Sequence, residues 1–202
     1  MSLPPEIFLF VISTSITPGP NNVMIMTSGL NHGVRRSLPH LLGINLGFTL
    51  MLVIIGIGLG TAFESFPLLH QSIKIVGALY LSYLAWIIAT TPTEPKQQAK
   101  AHPISFLQAA LFQWVNPKAW VMITGAVGTY TSQSGNIHQQ VLMIAGTFMI
   151  LGPPCTASWL MGGVGLRRFL ENPNYLTLFN RSMAILLIVS IRPVVMELLA
   201  QV

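Results

Sequence analysis

The sequence predicts an all-α membrane protein: six transmembrane helices forming one transporter domain, folded as two inverted three-helix repeats. Three observations predict it: scarce charge, long charge-free intervals, and cations confined to alternate connections. Charged residues make up 7% of the chain and hydrophobic ones 52%, where an ordinary soluble domain is about 25% charged. Asp is absent altogether. So little charge cannot cover a surface that faces water on all sides. The 202 residues accommodate six spans of roughly 20 residues with short connections and no sizeable soluble domain.

The same composition excludes other classes. A net charge of +5 would suit nucleic acid if Lys and Arg clustered on a soluble fold, but here they stand in thin pairs between apolar runs. Cys155 is the sole cysteine, which rules out an intrachain disulfide, a CxxC redox pair and a Cys-rich metal site. The five histidines show no metal-ligand spacing. No metal, cofactor or catalytic residue is expected, and the chain does not read as an enzyme.

The spans follow from the charges. Residues 7–34, 37–63, 75–93 and 119–166 carry none. The polar run Thr129 to Gln140 divides the last interval, which is too long for one helix. The predicted spans are 5–28, 39–61, 70–90, 104–128, 141–163 and 177–199, each resting on an apolar run of membrane-crossing length. The apolar N-terminus lacks the basic n-region and cleavage site of a signal peptide, so it reads as a retained first span.

Loop cations orient the bundle. Arg35 and Arg36 fall in the connection 29–38, Lys96 and Lys100 in 91–103, and Arg167 and Arg168 in 164–176. The connections 62–69 and 129–140 hold no Lys or Arg. Both termini are therefore expected outside, with loops one, three and five in the cytoplasm. Three spans per half give repeat one (1–90), a cytoplasmic linker (91–103) and repeat two (104–202) opposite topologies, as in inverted-repeat transporters. One internal echo accompanies this: Val23-Met24-Ile25 follows Pro20 in span one, and Val121-Met122-Ile123 follows Pro117 in span four.

Two polar breaks interrupt corresponding spans. Span one carries Thr17-Pro18-Gly19-Pro20-Asn21-Asn22 near its middle. Its prolines remove backbone donors and open the helical ladder; the freed carbonyls must find partners within protein or a wet cavity. Span four carries Asn116-Pro117-Lys118. A lysine at that depth costs on the order of 3 kcal/mol unless paired or facing water. No acidic residue is expected mid-membrane, so a substrate carboxylate is its natural counter-ion. Half-helix N-termini at the breaks add potential of the same sign. The substrate's ammonium would meet freed carbonyls and the amides of Asn21, Asn22 and Asn116. Asn45 in span two either lines this polar path or bonds a neighbouring helix.

Elsewhere the reading is structural. Gly43 and Gly47, like Gly56 and Gly60, are spaced four apart and permit close helix contact. Tyr80 and Tyr83 read as packing residues. Lys74 and Arg181 sit near span ends and snorkel; Arg192, before Pro193, either snorkels outward or serves the path.

These residues also carry a family likeness. TPGPNN at 17–22 with Gly29, His32-Gly33 and Arg35-Arg36 resembles the first-helix signature of the LysE/RhtB family of amino-acid exporters. So do Gly43 and Gly47, the run Gly77-Ala78-Leu79-Tyr80-Leu81, and Asn116-Pro117-Lys118-Ala119. The likeness spans nearly the whole chain and is strongest over 14–120. It implies a LysE-like fold in a bacterial inner membrane, exporting amino acids or close derivatives with protons as coupling ion. The family's breaks fall here on Pro18, Gly19, Pro20, Asn21, Asn116, Pro117 and Lys118. Thr91-Pro92-Thr93 and Pro103-Ile104-Ser105-Phe106 most resemble the branch that exports cysteine and O-acetylserine. With no mid-membrane carboxylate, Lys118 or the substrate amine is left to carry the proton. The alternative, an inorganic-cation exporter on a related fold, wants carboxylate ligands that the spans lack. The expected partners are the amino acid, protons and the lipid bilayer, with no nucleic acid; homo-oligomer formation is left open.

Overall fold

The computed structural model describes residues 4–59, 75–76, 79, 82–90, 102–131, 136–167 and 172–199, and their regular structure is entirely helical. Helix α1 spans Glu6–Ile16 and α2 spans Pro20–Ile54, followed by a π-turn at Ile55–Leu59. Span three is described chiefly over 82–89, here α3. Helix α4 covers Phe106–Phe112 and runs through a 3-10 turn, Gln113–Val115, to α5 at Pro117–Tyr130. Helices α6, Ile137–Arg167, and α7, Pro173–Leu199, complete the chain. Lys74, Tyr80, Lys96, Lys100 and Arg168 lie outside the described residues, as do Gly60, Gly77, Ala78, Leu81 and Thr91-Pro92-Thr93.

The first connection is shorter than expected. In place of a loop at 29–38, helix continues on both sides of Gly33, whose φ of 75° and ψ of 178° form a conformation essentially restricted to glycine. The chain reverses there. Gly19, Asn21 and Asn22 line the same cavity as Ile44, Asn45 and Phe48, whereas the 26 residues from Gly19 to Asn45 would span about 39 Å in a straight helix. Arms 20–32 and 34–54 are thus antiparallel neighbours, and exposed Arg35 and Arg36 begin the second helix rather than ending a loop.

Other boundaries have local causes. Ser105 accepts from the Gln108 N–H at 3.3 Å while its own N–H donates to Gln108 Oε1 at 2.9 Å, a reciprocal cap that starts α4. Pro20 and Pro117 each occupy a first-turn position, where a missing N–H costs nothing.

Helix α6 is central. A Cβ on Gly56 would lie 2.7 Å from Val141, and one on Gly152 would lie 3.0 Å from Asn45 Oδ1, so α6 runs antiparallel to arm 34–54. Gly163 abuts the backbone of Met26. Gly43 and Gly47 bring arm 34–54 against α4, as their spacing predicts: a Gly47 Cβ would stand 2.5 Å from Ala110 Cα. Ile7 and Val11 of α1, Met51 and Leu52 of α2, Ile123 of α5 and Ile144 of α6 form one buried apolar cluster.

The outer face is apolar. Leu9, Trp86, Val121 and Ile150 are 73, 69, 70 and 72% exposed on α1, α3, α5 and α6, a distribution suited to lipid rather than water. Among the described residues, Ile137–Leu166 is long and apolar enough to cross a membrane, as is the stretch Pro20–Gly58, which the reversal at Gly33 divides into two arms. The breaks cut the remaining candidates into shorter apolar helices such as Glu6–Ile16 and Phe106–Val115. Tyr83 is exposed on α3, as are Arg181 and Arg192 on α7.

Candidate functional site

The two broken spans lie side by side and antiparallel, so their breaks meet. Gln113 before the second break pairs with Asn21 after the first: Asn21 Nδ2 donates to Gln113 Oε1 at 2.8 Å, and Gln113 Nε2 returns a bond to Asn21 Oδ1 at 3.1 Å. Further along, Gly125 of α5 faces the Phe10 ring, which also meets Tyr130 edge-on at 5.7 Å.

The carbonyls freed by the first break all find partners. The Thr17 N–H bonds the Ser13 carbonyl, and the Thr17 hydroxyl bonds that of Thr14 at 3.0 Å. Asn22 Nδ2 donates to the carbonyls of Ser15 and Thr17, each at 2.8 Å. The Trp159 indole reaches in from α6 to the Ile16 carbonyl at 3.0 Å. Lys118 Nζ closes the set, donating to the Thr17 carbonyl at 2.6 Å, to Thr17 Oγ1 at 2.9 Å and to the Pro18 carbonyl at 3.3 Å. A cation at the carbonyl end of a helix is favoured by the helix dipole, which is how this half-buried lysine is held.

The opposite end of the same break differs. Gly19 caps α2 and has no side chain to bond its first turn; Pro20 has no N–H, which leaves the Asn21 and Asn22 amide N–H groups as a positive helix terminus. The second break caps itself, with Asn116 Oδ1 accepting from the Lys118 amide at 3.1 Å. Positive potential from an uncapped helix therefore concentrates beside Asn21 and Asn22.

These features border one cavity of about 50 Å³. Gly19, Asn21, Asn22, Asn45, Asn116 and Lys118 all line it, so the structure brings together six of the nine residues expected from sequence. Pro18, Pro20 and Pro117 are not among its lining residues and act through the backbone instead. Asn45 plays both of its alternative roles, since it lines the cavity and its Oδ1 accepts a long bond from the Thr156 hydroxyl at 3.4 Å. Phe48, Met122 and Phe148 supply an apolar wall. Sequence reasoning missed Thr14, Ser15, Gly152 and Thr156 of the lining and Gln113 beside it. Thr156 stands just after Pro153-Pro154 in α6, a signal that was available; Thr14 and Ser15 were hidden in an apolar helix. A cavity of this size holds a few waters, at roughly 10–15 Å³ each on this measure.

Gly19 makes the contact of Lys118 with the first break possible. Its backbone is extended, at φ −179°, but a Cβ there would lie 2.6 Å from Lys118 Cδ. The lysine can cross to Thr17 because position 19 has no side chain.

Comparison with known proteins identifies the family. The chain is similar to the cysteine/O-acetylserine efflux protein of Escherichia coli (strain K12), with 32% identity over 155 residues, 76% of this chain and 78% of that protein. The same figures hold for the efflux protein of that name from Shigella sonnei (strain Ss046), and the one from Escherichia coli O1:K1 / APEC is 31% identical over 155 residues. No solved structure matches. The family model described as LysE type translocator matches residues 12–189. With that match over most of its length and an apolar, all-helical fold, this chain is a membrane protein belonging to the LysE family.

Proposed function

We propose that the protein is a secondary exporter of a small amino acid or close derivative, working by alternating access around the cavity between the two broken helices. The observation that carries the reading is the division of charge at the first break. The carbonyl end of α1 holds an ammonium, that of Lys118, while the N–H end of α2 stands ready for an anion a few residues away. A zwitterionic amino acid carries those two groups on one carbon. Its carboxylate fits the α2 terminus at Asn21 and Asn22. Its ammonium fits the Thr17 and Pro18 carbonyls that Lys118 now occupies, and the displaced Lys118 becomes a second partner for the carboxylate.

Binding then exchanges one ammonium for another. The substrate opens the site as it enters, and Lys118 closes it again on release, which returns an empty carrier without leaving buried carbonyls unpaired. The two repeats, 1–90 and 104–202, rock about this site as inverted three-helix units of a six-span bundle. Cations in the first, third and fifth connections favour both termini in the periplasm of a bacterial inner membrane, with the proton gradient as driving force. The names of the similar proteins favour cysteine or O-acetylserine as substrate. Asn, Thr and Ser side chains line the cavity rather than carboxylates, which weighs against an inorganic cation as cargo.

Inverted membrane vesicles, offered a panel of radiolabelled amino acids under an imposed pH gradient, test the reading. Accumulation of a small neutral amino acid, lost in Lys118→Ala while the protein still inserts, is the expected result. Normal export by both Lys118→Ala and Pro20→Ala refutes the site.

A further inference from the structure

The first arm of α2 lines two cavities in turn. Asn21 and Asn22 line the central site. Met24, Thr27, Ser28 and Asn31 line a second cavity, of about 410 Å³, which also borders α3 and the start of α4. The second broken span repeats this pattern. Ile104, just before α4, lines the large cavity, while Asn116 and Lys118, past the end of α4, line the central site. Both broken spans therefore run from one cavity to the other. From Asn21 to Met24 is a single helical turn, a rise of about 4.5 Å.

The partition between the cavities has two parts. Met24, Leu84 and Ile88, which line the large cavity, pack with Phe112 in one buried apolar cluster. The next residue, Gln113, is fully buried and exchanges two hydrogen bonds with Asn21, which lines the central site. One apolar layer and one amide pair thus stand between the two spaces. Gln113 also begins the 3-10 turn before the second break, a backbone form that often marks a hinge within a helix.

The lining of the large cavity fits a small neutral molecule. Thr27, Ser28 and Asn31 form a buried polar floor, and Met24, Leu84 and Ile88 a buried apolar wall, whereas Tyr83, Trp86 and Thr90 are exposed at the rim. Among the described lining residues there is no Lys, Arg, Asp or Glu, so no fixed charge selects an ion of one sign. Hydroxyls and an amide offer donors and acceptors together, which suits a zwitterion. The volume falls within the roughly 300–1,000 Å³ of small-molecule sites. Arg35 and Arg36 follow directly on the Gly33 reversal, and the loop-cation rule assigns that end of the arm to the cytoplasm.

We infer that the large cavity is a cytoplasmic loading site, a second site for a small neutral amino acid, and that the Gln113–Asn21 pair gates its passage to the central site. A carboxylate arriving at the α2 terminus competes with Gln113 for Asn21, so the cargo itself favours opening. The inference rests on the export reading and deepens it by giving the route of entry.

Thiol labelling tests it. In a Cys155→Ala background, Ser28→Cys reports on the large cavity and Thr156→Cys on the central site. A membrane-impermeant thiol reagent should modify Ser28→Cys in inverted vesicles and not in right-side-out ones. Thr156→Cys should react slowly from the cytoplasmic face. Gln113→Ala or Asn21→Ala should speed that reaction about 3- to 16-fold, the population shift expected when the polar contacts of one membrane-helix pair are lost. A panel of small neutral amino acids (alanine, serine and threonine) should protect Ser28→Cys, and at least one should do so in Lys118→Ala as well. Modification of Ser28→Cys from the periplasmic face overturns the inference, as does reaction only with a membrane-soluble maleimide, which would mean that lipid fills the cavity. An unchanged Thr156→Cys rate in both gate variants, or protection that vanishes with Lys118→Ala, overturns it too. If no amino acid is accumulated yet the protection and the gate effect both appear, the export reading fails and the loading site stands. If accumulation is normal and Ser28→Cys is unprotected, the loading site fails alone.

Discussion

Lys118 and Thr17 are 101 residues apart in sequence, yet the lysine ammonium binds both the carbonyl and the hydroxyl of the threonine, at 2.6 and 2.9 Å. This contact joins the two broken helices across their breaks. Charge-assisted hydrogen bonds contribute about 1.5–3 kcal/mol each, so Lys118→Met should lower export by about 10- to 100-fold with little change in the amount of protein in the membrane. Lys118→Arg should not restore it, since a planar guanidinium does not reproduce a compact ammonium among three acceptors. Transport in vesicles, normalised to protein by immunoblot, checks both.

Gly19→Ala should act on the same contact from the other side. The backbone at 19 tolerates a side chain, but its Cβ would lie 2.6 Å from Lys118 Cδ and 3.2 Å from Nζ. The lysine must move off Thr17. The expected outcome is reduced export together with faster acylation of Lys118 by an amine reagent, read by mass spectrometry. Unchanged labelling would show that the lysine was never held there.

Asn21 and Gln113 exchange two side-chain hydrogen bonds between the broken spans. Replacing each with Ala, singly and together, should give a coupling energy near 0.6 kcal/mol and no more than about 1.7, the range found for polar contacts between membrane helices. Unfolding in detergent measures it.

The glycines should separate into two classes. Gly47→Ala forces a methyl group to within 2.5 Å of Ala110 Cα and should destabilise the fold by about 1–3 kcal/mol. Gly146→Ala meets nothing within 4 Å and should stabilise α6 by up to about 1 kcal/mol through helix propensity. Opposite shifts in melting temperature are the expected result.

Gly33→Ala places a Cβ on a residue with φ 75° and ψ 178°, at a cost of about 1–3 kcal/mol. It should lower the yield of folded protein, measured by size-exclusion chromatography. A variant as stable as the parent would mean the reversal does not need that conformation.

Much of the site was legible because it announces itself locally. Prolines 18 and 20, with Gly19 between them, and Pro117 after Asn116 mark the breaks, and each resumed helix starts on proline, whose missing N–H costs nothing there; proline alone does not decide it, since Pro39, Pro153 and Pro154 sit inside continuous helices. Asparagine and lysine in an apolar run are conspicuous through their desolvation cost alone, and five such positions, with Gly19 between the prolines, line one cavity. The close approach of α4 at Gly43 and Gly47 was likewise legible from their spacing.

Partnership was not legible. Lys118 with Thr17, Asn21 with Gln113 and Asn45 with Thr156 join residues 101, 92 and 111 positions apart, and no local pattern encodes such pairs. The lysine read as awaiting an anion because its nearest available ligands, the carbonyls at the end of α1, belong to backbone that sequence leaves unmarked. The reversal at Gly33 hid for a related reason. Residues on both sides favour helix, and only tertiary packing of arm 20–32 against arm 34–54 decides that the chain turns at one glycine instead of through a loop. His40 was overlooked because a lone histidine in an apolar stretch carries no pattern; that its ring is fully buried, with neither nitrogen partnered among the described residues, is visible only in the folded chain. Composition and local backbone chemistry, acting within a few residues, determined the membrane class, the breaks and most of the polar lining. Tertiary structure decided which group neutralises which, because electrostatic and hydrogen-bond partners are set by distance in space.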